Sequence, residues 1–237
     1  MAKKKIYVSP SSQTTNKYAK GNTTEAIQCR KIAVALVAAL ERCGFDAMTN
    51  LTGDMYARTA ESNKWGANLH MPIHTNAHNG KVMGTRLFSY DTKGEGYKAC
   101  KAIMATLASI TPGTSDSITA QKSLYEVKKA NAPTAYIEVG FHDNVTEALW
   151  IIDNTEAIAE AICKGVCKYY SVPYVAPIVA VEPEPATKEE ATAGSMYRVF
   201  DKDGKQVGAY SKESGAFAKA KEQLKNGGTV KITLSAK

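Results

Sequence analysis

Ile6-Tyr-Val-Ser9, then Thr24-Glu-Ala-Ile-Gln-Cys-Arg-Lys-Ile-Ala-Val-Ala-Leu-Val-Ala-Ala-Leu-Glu-Arg-Cys43, then past Gly44 the run Phe45-Asp-Ala-Met-Thr-Asn50: these segments decide the fold. The middle run places Cys29, Ile32, Ala33, Leu36, Leu40 and Cys43 at helical spacing, and Gly44 supplies the stop. A helix of that length between two short apolar, β-branched runs is the start of a strand–helix–strand alternation, which argues for an α/β sheet.

The alternation continues. Met71–Thr75, Thr85–Tyr90 and Thr134–Phe141 read as further strands, Gly96–Ile110 and Glu156–Tyr170 as further helices. Asn154 or Thr155 could cap the last helix. Residues 1–172 are therefore expected to form a catalytic-sized domain, a twisted mixed sheet flanked by helices. From Pro173 the composition changes, and residues 173–194 hold four prolines, four glutamates and one lysine, as in an extended linker. Residues 195–237 read as a small α+β module. Tyr197–Phe200 and Gln206–Tyr210 flank an Asp203-Gly204 turn, a helix runs from Ser214 to about Lys225, and Thr229–Leu234 alternates as a strand. At about 40 residues it is near the lower limit for folding alone, so a homodimer through this module is an open option.

With 237 residues and 44% hydrophobic content the chain can bury a real core, and no stretch approaches the ~20 apolar residues of a membrane span. The start, Met-Ala-Lys-Lys-Lys, leads straight into a strand without an apolar signal segment, so cytoplasmic synthesis is expected. The net charge of +7 suits an anionic partner. Nucleic acid is disfavoured, since there is no dense basic run with interleaved aromatics. Five cysteines (Cys29, Cys43, Cys100, Cys163, Cys167) fall mostly on apolar helix faces and read as small hydrophobes rather than a metal or disulfide set. Cys163 and Cys167 stand one turn apart on one face.

Three residues carry the chemistry. Glu25 opens the long helix, where a carboxylate is ordinary on its own. His74 ends an apolar strand, and strand ends of such sheets are where ligand sites gather. Glu138 interrupts the apolar Ala-Tyr-Ile-Glu-Val-Gly-Phe, where a carboxylate is costly unless paired or functional. One imidazole, one ligating carboxylate and one proton-carrying carboxylate read as a zinc hydrolase site, with burial raising the pKa of Glu138 toward general acid–base duty. A third ligand is expected from the first strand's end, where Gln13 offers a neutral oxygen and Asn16 and Ser12 weaker ones. His70 stands roughly 13 Å from His74 along an extended strand, too far to share one ion. His78, in the following loop, could approach the metal or substrate.

Residues 1 to about 170 resemble the zinc-dependent N-acetylmuramoyl-L-alanine amidases of the Amidase_3 type. Three segments in order carry the likeness: Gly-Asn-Thr-Thr-Glu25; Arg58-Thr-Ala-Glu-Ser-Asn-Lys-Trp-Gly-Ala-Asn leading to Ile73-His74-Thr75-Asn76-Ala77; and Pro133-Thr-Ala-Tyr-Ile-Glu138-Val-Gly-Phe-His-Asp-Asn144. The family's usual Asp-Pro-Gly-His-Gly is here Ser9-Pro10-Ser11-Ser12-Gln13, similar to a subgroup in which glutamine takes the ligand role. The resemblance implies Zn2+ on Gln13, Glu25 and His74, Glu138 as the catalytic residue, and His78, Asn76 and Arg58 as substrate contacts or supports. It implies hydrolysis of the amide between N-acetylmuramic acid and L-alanine in peptidoglycan, by an endolysin-like enzyme that reaches the cell wall after release. A fold that has lost its metal and only binds the wall is the alternative. The C-terminal module is similar to half of a SPOR-like peptidoglycan-binding domain, and its nine Lys/Arg against four Asp/Glu would favour an acidic wall.

Overall fold

The computed structural model describes residues 2–177, 196–200, 205–210, 219 and 231–235. The chain divides into two compact units, Met1–Pro177 and Ile178–Lys237. In the first, β1 (Lys5–Pro10), α1 (Glu25–Arg42), β2 (Asp46–Thr49), α2 (Met55–Trp65) and β3 (Leu69–Asn76) are followed by β4 (Arg86–Ser89) and α3 (Glu95–Leu107). Then come β5 (Ser117–Ala120), α4 (Tyr125–Lys129), β6 (Tyr136–Phe141), α5 (Val145–Asp153) and α6 (Thr155–Tyr170).

The six strands form one mixed sheet in the order β2-β1-β3-β6-β4-β5. β2, β1, β3 and β6 are mutually parallel, while β4 runs antiparallel to β6 and parallel to β5. The carboxyl ends of β1, β3 and β6 therefore lie side by side at the centre, as the expected α/β sheet requires.

The two faces of the sheet differ in chemistry. Ile6, Val8, Leu69, Met71, Ile73, Ile137 and Val139 point into the main core with α1, α3 and α6. Gly165 of α6 allows the closest approach in that layer, because a Cβ there would stand 2.5 Å from Ile103 Cα of α3. Gly44, at φ +88, ends α1 in the left-handed region as its place in the sequence predicts. The alternate residues Tyr7, Ser9, His70, His74, Tyr136 and Glu138 fall on the opposite face, by the period of two along a strand. There Tyr7 meets Trp65 of α2 edge-on and donates to Glu61. This polar face carries the site.

The expected strands and the three long helices stand within a few residues of their predicted bounds. Four elements have no counterpart in the sequence reading. α2 buries Arg58, Thr59 and Ser62 rather than an apolar stripe, so it shows no hydrophobic period. α4 has five residues and β5 four half-exposed ones, too few to make a pattern. α5 is capped by Asn144, whose side chain accepts from Thr146 and Glu147 N–H. Asn154 precedes α6 but its side chain does not cap that helix; it donates instead to the Trp150 carbonyl of α5.

Within the second unit, β7 (Met196–Phe200), β8 (Gln206–Tyr210) and β9 (Lys231–Ser235) form an antiparallel sheet in the order β8-β7-β9. The Asp203-Gly204 turn, the 214–225 helix apart from Lys219, and most of the 173–194 linker lie outside the described residues, and residues 173–177 belong to the first unit.

Candidate active site

The loop between β1 and α1 closes onto the helix it precedes. The Asn16 carbonyl accepts from Glu25 N–H at 2.9 Å and the Gln13 carbonyl from Ala26 N–H at 3.2 Å, which satisfies two of the free donors at the start of α1. Those bonds hold the Gln13 and Asn16 side chains beside Glu25. Asn16 Nδ2 donates to Glu25 Oε2 at 2.7 Å and to Gln13 Oε1 at 2.9 Å.

From the neighbouring strand, His74 Nδ1 reaches Glu25 Oε1 at 2.9 Å and Gln13 Nε2 at 3.4 Å. Gln13, Glu25 and His74 thus meet around one ring nitrogen. His74 pairs in register with Glu138 on parallel β6, so both side chains leave the same face. Glu138 is half-buried, and its Oε2 is buried without a hydrogen-bond partner. Tyr136, two residues earlier on that face, stacks on the His74 ring at 4.6 Å.

A further carboxylate stands behind His74. Glu126 of α4 accepts from Ser9 Oγ, lies 3.2 Å from His70 Nε2 and approaches His74 Nε2 at 3.9 Å. His70 Nδ1 meets Ser62 Oγ at 3.0 Å. His70 is therefore joined to the site through Glu126 and not through a shared ligand position. Nothing in the sequence reading selected Glu126 or Tyr136. The available signals were a glutamate inside Leu124-Tyr-Glu-Val127 and the period of two that sets Tyr136 beside Glu138.

Three carboxylates around one imidazole leave an excess of buried negative charge, and the titration behaviour follows. Burial pushes the Glu138 carboxyl up to about 7, against the pull of His74 and with help from the Glu25 charge. Burial works to lower His74, but Glu126, Glu25 and the Glu138 charge raise it to about 9. Burial works to raise Glu126, yet His70, His74 and Ser9 hold it down at about 2. Glu25 also lies below the usual carboxylate range: burial opposes this, and His74, Asn16 and Ser11 outweigh it. In the metal-free site the protonated His74 is thus the positive charge that faces these carboxylates.

The remaining sequence candidates are placed around this cluster. Arg58 is fully buried, donating to the Pro10 and Asn50 carbonyls and so tying the end of β1 to the loop after β2. The Asn76 carbonyl accepts from His142 N–H at 2.8 Å at the end of β3, next to an irregularity in the β3–β6 register. His78 is exposed, its backbone N–H bound to Asp143 Oδ2.

The polar strand ends of a parallel-centred sheet thus gather the His74 imidazole, the Gln13 amide and the carboxylates of Glu25, Glu126 and Glu138 at one place. The family model for N-acetylmuramoyl-L-alanine amidases matches residues 6–168, and the chain belongs to that family. The solved structures agree in fold. The catalytic domain of CwlV, an N-acetylmuramoyl-L-alanine amidase from Bacillus (Paenibacillus) polymyxa var. colistinus, is similar with TM-score 0.64 and 15% identity, over 72% of this chain and 99% of that one. The amidase AmiC2 of Nostoc punctiforme gives 0.62 at 18%, over 72% and 98%. The catalytic domain of the CD27L endolysin targeting Clostridia difficile gives 0.58 at 20%, over 70% and 97%. A search of curated protein sequences finds no match.

Proposed function

We propose that this chain cuts the amide between N-acetylmuramic acid and L-alanine with zinc held by Gln13, Glu25 and His74, and that it serves as an endolysin. The observation that carries the mechanism is the buried, unpartnered Glu138 Oε2 beside a cluster of ligand-type atoms with surplus negative charge. A nitrogen–oxygen donor set of this kind fits zinc. When bound, zinc supplies a Lewis acid for the scissile carbonyl and lowers the pKa of water.

The chain's own residues do the rest. Glu138, raised to about 7, accepts a proton from the attacking water and returns it to the leaving L-alanine amine. Glu126 faces His74 Nε2 and so leaves Nδ1 to the ligand side, with Tyr136 fixing the ring plane. Gln13 would turn its amide to present Oε1. Being exposed, it can do so without disturbing the core. The endolysin role is supported by the amidase family, by a likeness to one endolysin domain and by the basic C-terminal unit. The same reading puts synthesis in the cytoplasm and action at the wall. No helix among the described residues is long and apolar enough to cross a membrane.

One observation favours a second reading, a wall-binding protein without catalysis. Gln13 Nε2, rather than its oxygen, faces His74 and Glu25, which closes a hydrogen-bonded network without any ion. Zinc stoichiometry on the purified chain, with release of free L-alanine amino termini from peptidoglycan, separates the two. One zinc with chelator-sensitive release is expected. No zinc after loading and no release would leave the binding protein.

A further inference from the structure

At the other end of α1, away from the strand ends that carry the site, three thiols converge. Cys43 caps α1, and Cys163 and Cys167 lie one turn apart on α6. All three are buried and free, and their sulfurs lie within 4.8 Å of one another, Cys163 to Cys43 at 3.6 Å. Three sulfurs around one ion at a metal–sulfur distance of about 2.3 Å stand roughly 4 Å apart, so the cluster needs little adjustment to close on a cation.

Two polar groups stand beside the cluster. Val175 N–H donates to Cys43 Sγ at 3.3 Å. The Arg42 guanidinium, whose positive charge acts on Cys167, is fixed by Glu160 at 2.6 Å and by the Val175 carbonyl at 2.9 Å. Tyr174 donates to the same Glu160 at 2.6 Å. Residues 174 and 175 thereby form a strap beside the cluster, tied to Glu160, Arg42 and Cys43.

We propose that Cys43, Cys163 and Cys167 form a binding site for a monovalent, sulfur-seeking d10 cation, Cu(I), distinct from the zinc position. The donor set makes the choice. Soft thiolates select Cu(I), zinc or iron–sulfur centres. A buried structural zinc site is closed by four protein ligands, and among the described residues this cluster supplies three. The nearby carboxylate, Glu160, is already taken by Arg42 and Tyr174. Coordination replaces each S–H by a sulfur–metal bond and releases that proton to solvent. Because each coordinated thiol must give up its proton, uptake strengthens as pH rises. The bound ion would join the end of α1, α6 and the strap.

The test is anaerobic titration of the full reduced chain with Cu(I) supplied from a chromophoric chelator. We expect one ion per chain, a sulfur-to-copper absorption band in the near ultraviolet and an all-sulfur coordination sphere by X-ray absorption. At a free ion concentration of 100 Kd the folding equilibrium constant should rise about 100-fold. Cys163→Ala and Cys167→Ala should each lose this binding, while Cys29→Ala, Cys100→Ala and the active-site variant His74→Ala keep it. Circular dichroism checks that each variant folds, and Cys167→Ala provides the second reading should Cys163→Ala unfold. No uptake, uptake unchanged in both cluster variants, nitrogen or oxygen coordination, or a preference for zinc with sulfur ligands would each overturn the assignment.

Discussion

At the residue scale, the chemistry turns on Glu138 and the imidazole facing it. Glu138→Ala is expected to lower turnover by about 10²–10⁴-fold while leaving zinc content unchanged, as read by amino-terminus release and metal analysis. His74→Ala should lose the metal. Glu126→Gln removes the carboxylate behind both histidines; by analogy with other ligand-orienting partners it should weaken zinc binding by roughly 10–100-fold. Because Gln is nearly isosteric, a fall in zinc affinity with the secondary structure intact marks a positioning role. Unchanged affinity would reduce Glu126 to a packing residue. The same groups set a pH dependence for the metal-free protein. Glu138, raised from 4.5 to about 7, contributes stability that is present below 4.5 and is lost as pH rises through 7. His74, raised from 6.5 to about 9, contributes stability below 6.5 that is lost as pH rises through 9. Glu126, lowered from 4.5 to about 2, contributes stability above 4.5 that is lost as pH falls through 2. The site's contribution therefore peaks near pH 4.5. Denaturant midpoints in chelator should decline from there to pH 9, and Glu138→Gln should remove the part between 4.5 and 7.

At the scale of elements, the site depends on which face of the sheet each strand residue takes. Odd residues of β3 enter the core with α1, while His70 and His74 face α2 and α4. A one-residue slip of β3 would exchange the two sets, so the apolar residues that bury one face also aim the histidines on the other. The layer of α1, α3 and α6 fixes the start of α1, and with it Glu25. Gly165→Ala tests that layer. Alanine favours an isolated helix by about 1 kcal/mol over glycine. Here its Cβ would meet Ile103 Cα at 2.5 Å, so we expect a net loss of roughly 1–3 kcal/mol, read as a lower melting temperature. A gain in stability would mean that α6 shifts without resistance.

At the scale of the whole molecule, the first unit ends at Pro177, past the last helix. Truncation after Pro177 should leave a folded domain that cleaves soluble muropeptides at the full-length rate. Ending the chain at Val172 instead removes Tyr174 and Val175, their bonds to Glu160, Arg42 and Cys43, and should destabilise the domain. If the basic second unit binds the wall, the 1–177 form loses rate on intact sacculi only; an equal rate on both substrates would remove that role. Much of the plan is legible in the sequence, because the periodicities of the long helices and of the strands are local consequences of burying one face. Glu25, His74 and Glu138 could be singled out because each stands at a helix start or interrupts an apolar run. α2 and α4 were not legible: one buries polar residues and the other is too short for any period. Glu126 was missed for the same reason, since its partners Ser9, His70 and His74 are 117, 56 and 52 positions away. Cys163 and Cys167 read as core residues on one face of a helix, and only the packing of α1 against α6 brings Cys43 to them. The sequence by itself determined which segments are strands and helices and which residues could do chemistry. Only the tertiary structure decided which of those residues meet, because proximity across a sheet is set by strand order and register, and neither is a local property of the chain.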